Sequence, residues 1–208
     1  MKIIETNLKF TGSLSKRLKT DMIILHHAEA SKCSVEDIHK WHLEFGWSGF
    51  GYHFLVRKDG SIYRGRPENT VGAHCQGRNS TSIGICAEGS YMIETMPEVQ
   101  KKAIIELVNY LKNKYNVSKV YGHREVGSSN CPGTNYPLEQ IKKGEVNVVE
   151  EKKEQPILLV KATQELLNKI GITDDAGGKL SEDGLYGEKT KEAYIKFKVI
   201  EFEKLINK

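Results

Sequence analysis

Met22-Ile23-Ile24-Leu25-His26-His27 is the stretch from which the fold is read. Four apolar residues run without alternation, the pattern of a strand buried on both faces, and such strands lie in sheets covered by helices on each side. Two imidazoles close the run, at the end where a strand hands polar side chains to a site. Neighbouring residues of a strand point to opposite faces, so at most one of the pair reaches any common ligand. A second chemical stretch lies far downstream, Val120-Tyr-Gly-His123-Arg-Glu-Val-Gly-Ser-Ser-Asn-Cys131-Pro-Gly133, with an imidazole and a thiol in a loop shaped by glycine and proline. One imidazole from the first stretch and this pair from the second make two nitrogens and one sulfur. That donor set suits Zn²⁺ and leaves a fourth position for water, the plan of a metal hydrolase.

Around these stretches, strand and helix patterns alternate. Ser34-Val-Glu-Asp37 resembles a capping box, and Val35, Ile38, Trp41, His42 and Phe45 follow at helical spacing until Gly46. His39 and His42 are expected on the surface or lining a groove. Phe50–Arg57 and Ser61–Arg66 flank Lys58-Asp59-Gly60, a hairpin-turn signal. Asn79–Gly89 contains another strand, with Gly84 marking a close approach. Pro97 opens a long amphipathic helix with Val99, Ala103, Ile104, Leu107, Val108 and Leu111 facing inward. Residues 1–20 read as a polar arm with one short strand. The expected fold class is α/β, a mixed central β-sheet flanked by helices, followed by a small all-α module. The boundaries are 1–143 for the first domain, 144–156 for a charged linker ending at Pro156, and 157–208 for the helical module.

Composition narrows the function. A chain of 208 residues with 38% apolar content and a net charge of +4 fits one medium domain or one domain plus a small module. Lysine and arginine are dispersed, so no nucleic-acid partner is expected. No apolar run approaches the roughly 18–20 residues of a membrane span, and none resembles a secretory signal. The reading is therefore a protein made in a reducing cytoplasm, with Cys33, Cys75 and Cys86 as small, partly buried thiols. The sequence leaves the oligomeric state open.

The ordered pieces Ile-Leu-His26-His27, Trp41-His, Gly51-Tyr52-His53-Phe54, Asp59-Gly60, Gly72-Ala73-His74, Asn79, Ser82-Ile-Gly-Ile85 and Gly122-His123-Arg through Cys131-Pro-Gly133 span roughly residues 20–140. In this order they resemble the zinc-dependent N-acetylmuramoyl-L-alanine amidases of the phage-lysozyme and peptidoglycan-recognition-protein type. The resemblance implies that His26, His123 and Cys131 hold Zn²⁺, with His27 left out by strand geometry. It implies that a water activated by the ion cuts the amide between N-acetylmuramic acid and L-alanine. Tyr52 matches the family's catalytic tyrosine, a donor to the charge developing on the carbonyl oxygen. His74 and Asn79 line the groove, Trp47 and Phe50 either stack on a sugar face or pack in the core, and His53 is either a group behind the site or a satisfied core residue.

The chain departs from part of the family at two places. Ser129 stands where phage-type members carry a lysine and recognition-type amidases a hydroxyl residue, which makes it a catalytic candidate that can donate a hydrogen bond but carries no charge. Cys86 stands where some relatives carry a glutamate, so Glu88, two residues on, is the acid/base candidate if the strand is regular. The tail, through Asp183-Gly-Leu-Tyr-Gly-Glu-Lys-Thr190, Ala193 and Phe197, resembles a peptidoglycan-binding three-helix module. An amidase without a signal joined to a wall-binding module is similar to a bacteriophage endolysin, which stays in the host cytoplasm until lysis and then reaches the wall. A bacterial autolysin exported by another route is the other source. A protein that recognises peptidoglycan without cutting it is the alternative function, which the presence of Cys131 disfavours, because recognition-only relatives typically lose that cysteine.

Overall fold

A computed structural model describes residues 1–144 and 157–206. The chain forms two compact units, Met1–Asn147 and Val148–Lys208. Most of the expected linker, residues 145–156, lies outside the described residues.

The first unit is built on six strands: β1 Ile3–Glu5, β2 Met22–His27, β3 Phe54–Val56, β4 Ile62–Arg64, β5 Ser82–Ala87 and β6 Val120–Gly122. They form one mixed sheet in the order β1-β4-β3-β5-β2-β6. β2 pairs parallel with both β5 and β6, which explains its unbroken apolar run, since neighbours and layers cover it on every side. β3 and β4 are antiparallel across the Asp59-Gly60 turn, where Gly60 takes φ +84°, a conformation open to glycine at little cost. The polar arm contributes β1, which adds parallel to β4 at the sheet edge.

Parity along the strands divides the core into two layers. Ile23 and Leu25 of β2 and Ile83, Ile85 and Ala87 of β5 pack under α2, Glu98–Tyr115, through Ile104, Leu107, Val108 and Leu111. On the opposite face Leu55 and Cys86 meet Val35 and Ile38 of α1, Val35–Glu44, together with Phe50. α1 starts at the expected capping box: Ser34 Oγ accepts from the Asp37 N–H and the Asp37 carboxylate accepts from the Ser34 N–H. Two expectations on the helices need correction. Val99 is 51% exposed, because the inward stripe of α2 begins one residue later, at Gln100, whose amide bonds Val56 O and Glu88 O. His39 and His42 are buried, for a reason given below.

Two short helices complete the unit, α3 His123–Val126 and α4 Leu138–Lys143. The second unit shows two helices among the described residues, α5 Ile157–Lys169 and α6 Glu188–Ile206, where three were expected. The segment between them is loop, held by Gln164, whose side chain bonds Asp183, Leu185 O, Thr190 and the Gly184 N–H. Leu167, Leu180 and Ala193 form its core, with Ile172 and Phe197 packed against them. Among the described residues no helix is long and apolar enough to cross a membrane.

Candidate active site

The register of the sheet assembles the site. Leu25 of β2 stands opposite Gly122 of β6, so the next residues, His26 and His123, leave the same carboxyl edge side by side. Their rings lie 4.7 Å apart, centre to centre. The loop after α3 then returns Cys131 to the pair. Arg124 fixes that return: its N–H donates to Cys131 O at 2.7 Å and its guanidinium to Gly133 O at 2.6 Å. One nitrogen from each histidine and the Cys131 sulfur all lie within 4.8 Å of one another.

His26 and His27 separate as alternation requires. His26 Nδ1 faces Cys131 Sγ at 3.6 Å. His27 turns to the other face, where its Nδ1 accepts the Tyr91 N–H at 3.0 Å. Its backbone N–H still serves the site by donating to Cys131 Sγ at 3.4 Å. The donor set fits zinc. With Zn–N near 2.05 Å and Zn–S near 2.3 Å, a tetrahedral ion sets its nitrogen and sulfur ligands about 3.6 Å apart, the separation seen between His26 Nδ1 and Cys131 Sγ.

Electrostatics favour neutral imidazoles. Burial pushes the His26 pKa well below its usual value, helped by His123 and His27, and burial lowers His123 as well. Burial pushes the Cys131 thiol up to about 12 against the opposing hydrogen bond from His27. Tyr52 packs with its ring 5.0 Å from His26. Burial, with the neighbouring Cys86 and Cys131, holds its phenol well above its ordinary pKa, so Tyr52 keeps its proton and remains a donor.

Beside the cluster opens a groove of about 630 Å³, lined by Trp47, His74, Asn79, His123, Gly127 and Ser128. Trp47 is 43% exposed and offers a ring face. Asn79 lines the wall while its Oδ1 accepts the His74 and Cys75 N–H groups at 2.8 and 2.9 Å. His74 is buried at the groove floor and bonds His26, its Nδ1 lying 3.0 Å from His26 Nε2. The close approach expected at Gly84 is this ring: a Cβ there would lie 2.6 Å from His74 Cγ. Ser129 is exposed, and its Oγ accepts the Cys131 N–H at 3.1 Å, shaping the loop that carries the thiol.

Glu88 does not join these residues. β5 ends at Ala87, so strand alternation does not extend to it. Its carboxylate pairs with Arg57 at 3.2 Å and accepts the Cys33 and Lys58 N–H groups at 2.9 Å. Burial pushes its pKa upward, but the hydrogen bonds from Arg57, Lys58 and Cys33 outweigh it and hold the carboxyl below the usual range. Glu88 is a structural anion tied to Arg57, Cys33 and Lys58, not the acid/base group that strand alternation suggested.

Three histidines shape the site without joining the cluster: His53 is the satisfied core residue that was one of its two expected roles, while the burial of His39 and His42 was not foreseen. His39, His42 and His53 each use Nδ1 to accept one backbone N–H, from Phe50, Gly51 and Gly84 respectively. They pin the loop carrying Tyr52, which is why His39 and His42 are buried. Helical spacing put both on one face of α1 but contained no signal that backbone donors would come to meet them.

Fold and site together define an α/β domain with a metal-competent donor set at the edge of an open groove. The chain belongs to the N-acetylmuramoyl-L-alanine amidase family, whose profile matches residues 16–134. It is 36% identical over 127 residues to an endolysin of Klebsiella phage KP32, an alignment covering 57% of this chain and 83% of the phage protein. It is also 36% identical over 124 residues to peptidoglycan-recognition protein SC2 of Drosophila melanogaster, covering 54% of this chain and 67% of that protein. Among solved structures, N-acetylmuramoyl-L-alanine amidase LysC from Clostridium intestinale URNW matches with a TM-score of 0.67 at 43% identity, covering 69% of this chain and 96% of that one.

Proposed function

We propose that this protein is a zinc-dependent peptidoglycan amidase of the endolysin type, cleaving the bond between N-acetylmuramic acid and L-alanine. The observation that carries the reading is the convergence of His26, His123 and Cys131 beside an open groove, next to a phenol that keeps its proton. Zinc held by these three side chains supplies a Lewis acid that makes a water nucleophilic near neutral pH. The chain's own residues do the rest. Tyr52 donates a hydrogen bond to the amide oxygen as negative charge gathers on it. Trp47 presents an aromatic face to a sugar ring, and Asn79 holds the groove wall through two backbone N–H groups. Ser129 orders the Cys131 loop through its hydroxyl.

The helical unit is a wall anchor that raises the local concentration of the amidase at its polymer. The protein acts after lysis begins, reaching the wall from the host cytoplasm.

Product chemistry on purified peptidoglycan tests this directly, for wild type and His123→Ala, with and without a chelator. New L-alanine amino termini that disappear with the chelator and with His123→Ala are expected. New reducing sugar ends, or wall binding with zinc bound and no product, would replace the amidase by another hydrolase or by recognition alone.

A further inference from the structure

His26 can bind a metal through Nδ1 only if its proton resides on Nε2, and a hydrogen-bond chain behind it bears on that choice. His26 Nε2 lies 3.0 Å from His74 Nδ1, His74 Nε2 lies 3.4 Å from Ser82 Oγ, and Ser82 Oγ lies 2.8 Å from Arg78 O. All three side chains are buried, Ser82 completely. The far end of the chain sets its polarity. Two oxygens 2.8 Å apart need a proton between them, and a carbonyl carries none, so the Ser82 proton points at Arg78 O. Ser82 Oγ then faces His74 as an acceptor, which places the His74 proton on Nε2 and leaves Nδ1 with a lone pair. His26 must donate to that lone pair from Nε2, and its Nδ1 is left bare toward Cys131 and His123.

The geometry points to His74 and Ser82 as positioning residues that lock His26 in its metal-ready tautomer before any ion arrives. Two glycines hold the His74 ring in this pose: a Cβ on Gly72 would lie 2.4 Å from His74 Cδ2, and one on Gly84 would lie 2.6 Å from His74 Cγ. Any larger residue on either side would displace the ring. His74 thus has a role toward the metal site apart from lining the groove.

The inference rests on the zinc reading of the cluster, but its test does not depend on turnover. Long-range ¹H–¹⁵N correlation spectra of the metal-free full-length protein report which nitrogen of His26 carries the proton. Nε2 protonation is expected in wild type, and Nδ1 protonation would overturn the inference. Zinc affinity by chelator competition gives a second readout, with His74→Leu expected to weaken it 10–100-fold, the usual effect of removing an outer-shell partner. His74→Asn, whose Oδ1 falls where Nδ1 was, should restore affinity to within a few-fold. Ser82→Ala leaves all direct ligand contacts in place, and should weaken zinc several-fold while an Nδ1-protonated His26 signal emerges. Wild-type affinity in His74→Leu, or a folded His74→Asn as weak as His74→Leu, would sink it. If the tautomer and affinities follow expectation but no L-alanine ends form on peptidoglycan, the amidase reading fails while this inference stands.

Discussion

Cys131 illustrates how burial and chemistry pull against each other at a single residue. Burial pushes its thiol up to about 12, yet the proposed zinc would be held by the thiolate. His26 and His123 lie below their usual pKa, so both are already neutral at pH 7 and above. Zinc uptake between pH 7 and 9 should therefore release the Cys131 proton, so the apparent association constant should rise at least tenfold per pH unit, and more steeply where a zinc-bound water also ionises. Competition with a colorimetric chelator across that range measures the slope; a flat profile would mean that the thiolate is preformed. Tyr52 makes a complementary prediction. Tyr52→Phe keeps the ring packing on His26 and should keep zinc affinity, while kcat falls about 10²–10³-fold, the effect of removing one donor from a developing oxyanion. Glu88 gives the residue-scale control. Glu88→Gln should cost about 1–3 kcal/mol by breaking charged hydrogen bonds to Arg57, Cys33 and Lys58. Because its folded pKa is depressed, the wild-type advantage is full above the unfolded carboxylate pKa and fades as pH falls through the folded one. Denaturant titrations at pH 7 and pH 3 should show that gap shrinking, and zinc-loaded Glu88→Gln should keep its amidase rate at pH 7.

Elements show why some of the fold was legible in sequence and some was not. β2 was readable because burial on both faces removes alternation, and α1 because its cap and stripe coincide. The β3–β4 hairpin was readable because Asp59-Gly60 demands a positive φ. The inner face of α2 was misread at its first turn. Gln100 and Lys101 are buried through hydrogen bonds, the latter to Glu98 and Gln140, which hydrophobicity cannot anticipate. Ile104→Ala should therefore cost about 2–5 kcal/mol, whereas Val99→Ala should fall within about 0.5 kcal/mol of wild type, both read from urea midpoints. The proposed ligands His26, His123 and Cys131 were singled out from motif order, and the structure brings all three side chains within reach of one another. The hydrogen bonds that orient them were not, because they join residues as far apart in sequence as His27 and Cys131. Only the register of β2 with β6 brings those stretches to one edge.

At the scale of the whole molecule, the chain has two units with separate cores, and the proposed function assigns them different tasks. Each has its own buried cluster, and residues 16–134 of the amidase family lie within the first. The wall anchor proposed for the helical unit would add a second point of attachment to the groove of about 630 Å³ in the first unit. A tethered module converts rebinding into an intramolecular event and raises avidity about 10²–10⁴-fold without altering either site. A chain ending at residue 143 should therefore keep its rate on a soluble muropeptide, because the site is complete within it. The same truncation should lose cosedimentation with intact peptidoglycan and should turn over the insoluble polymer far more slowly at nanomolar enzyme. The difference should close as enzyme concentration rises, since crowding the wall with enzyme substitutes for tethering. Loss of rate on the soluble substrate would instead make the helical unit part of the catalytic machinery, and equal cosedimentation of both forms would remove its role as an anchor.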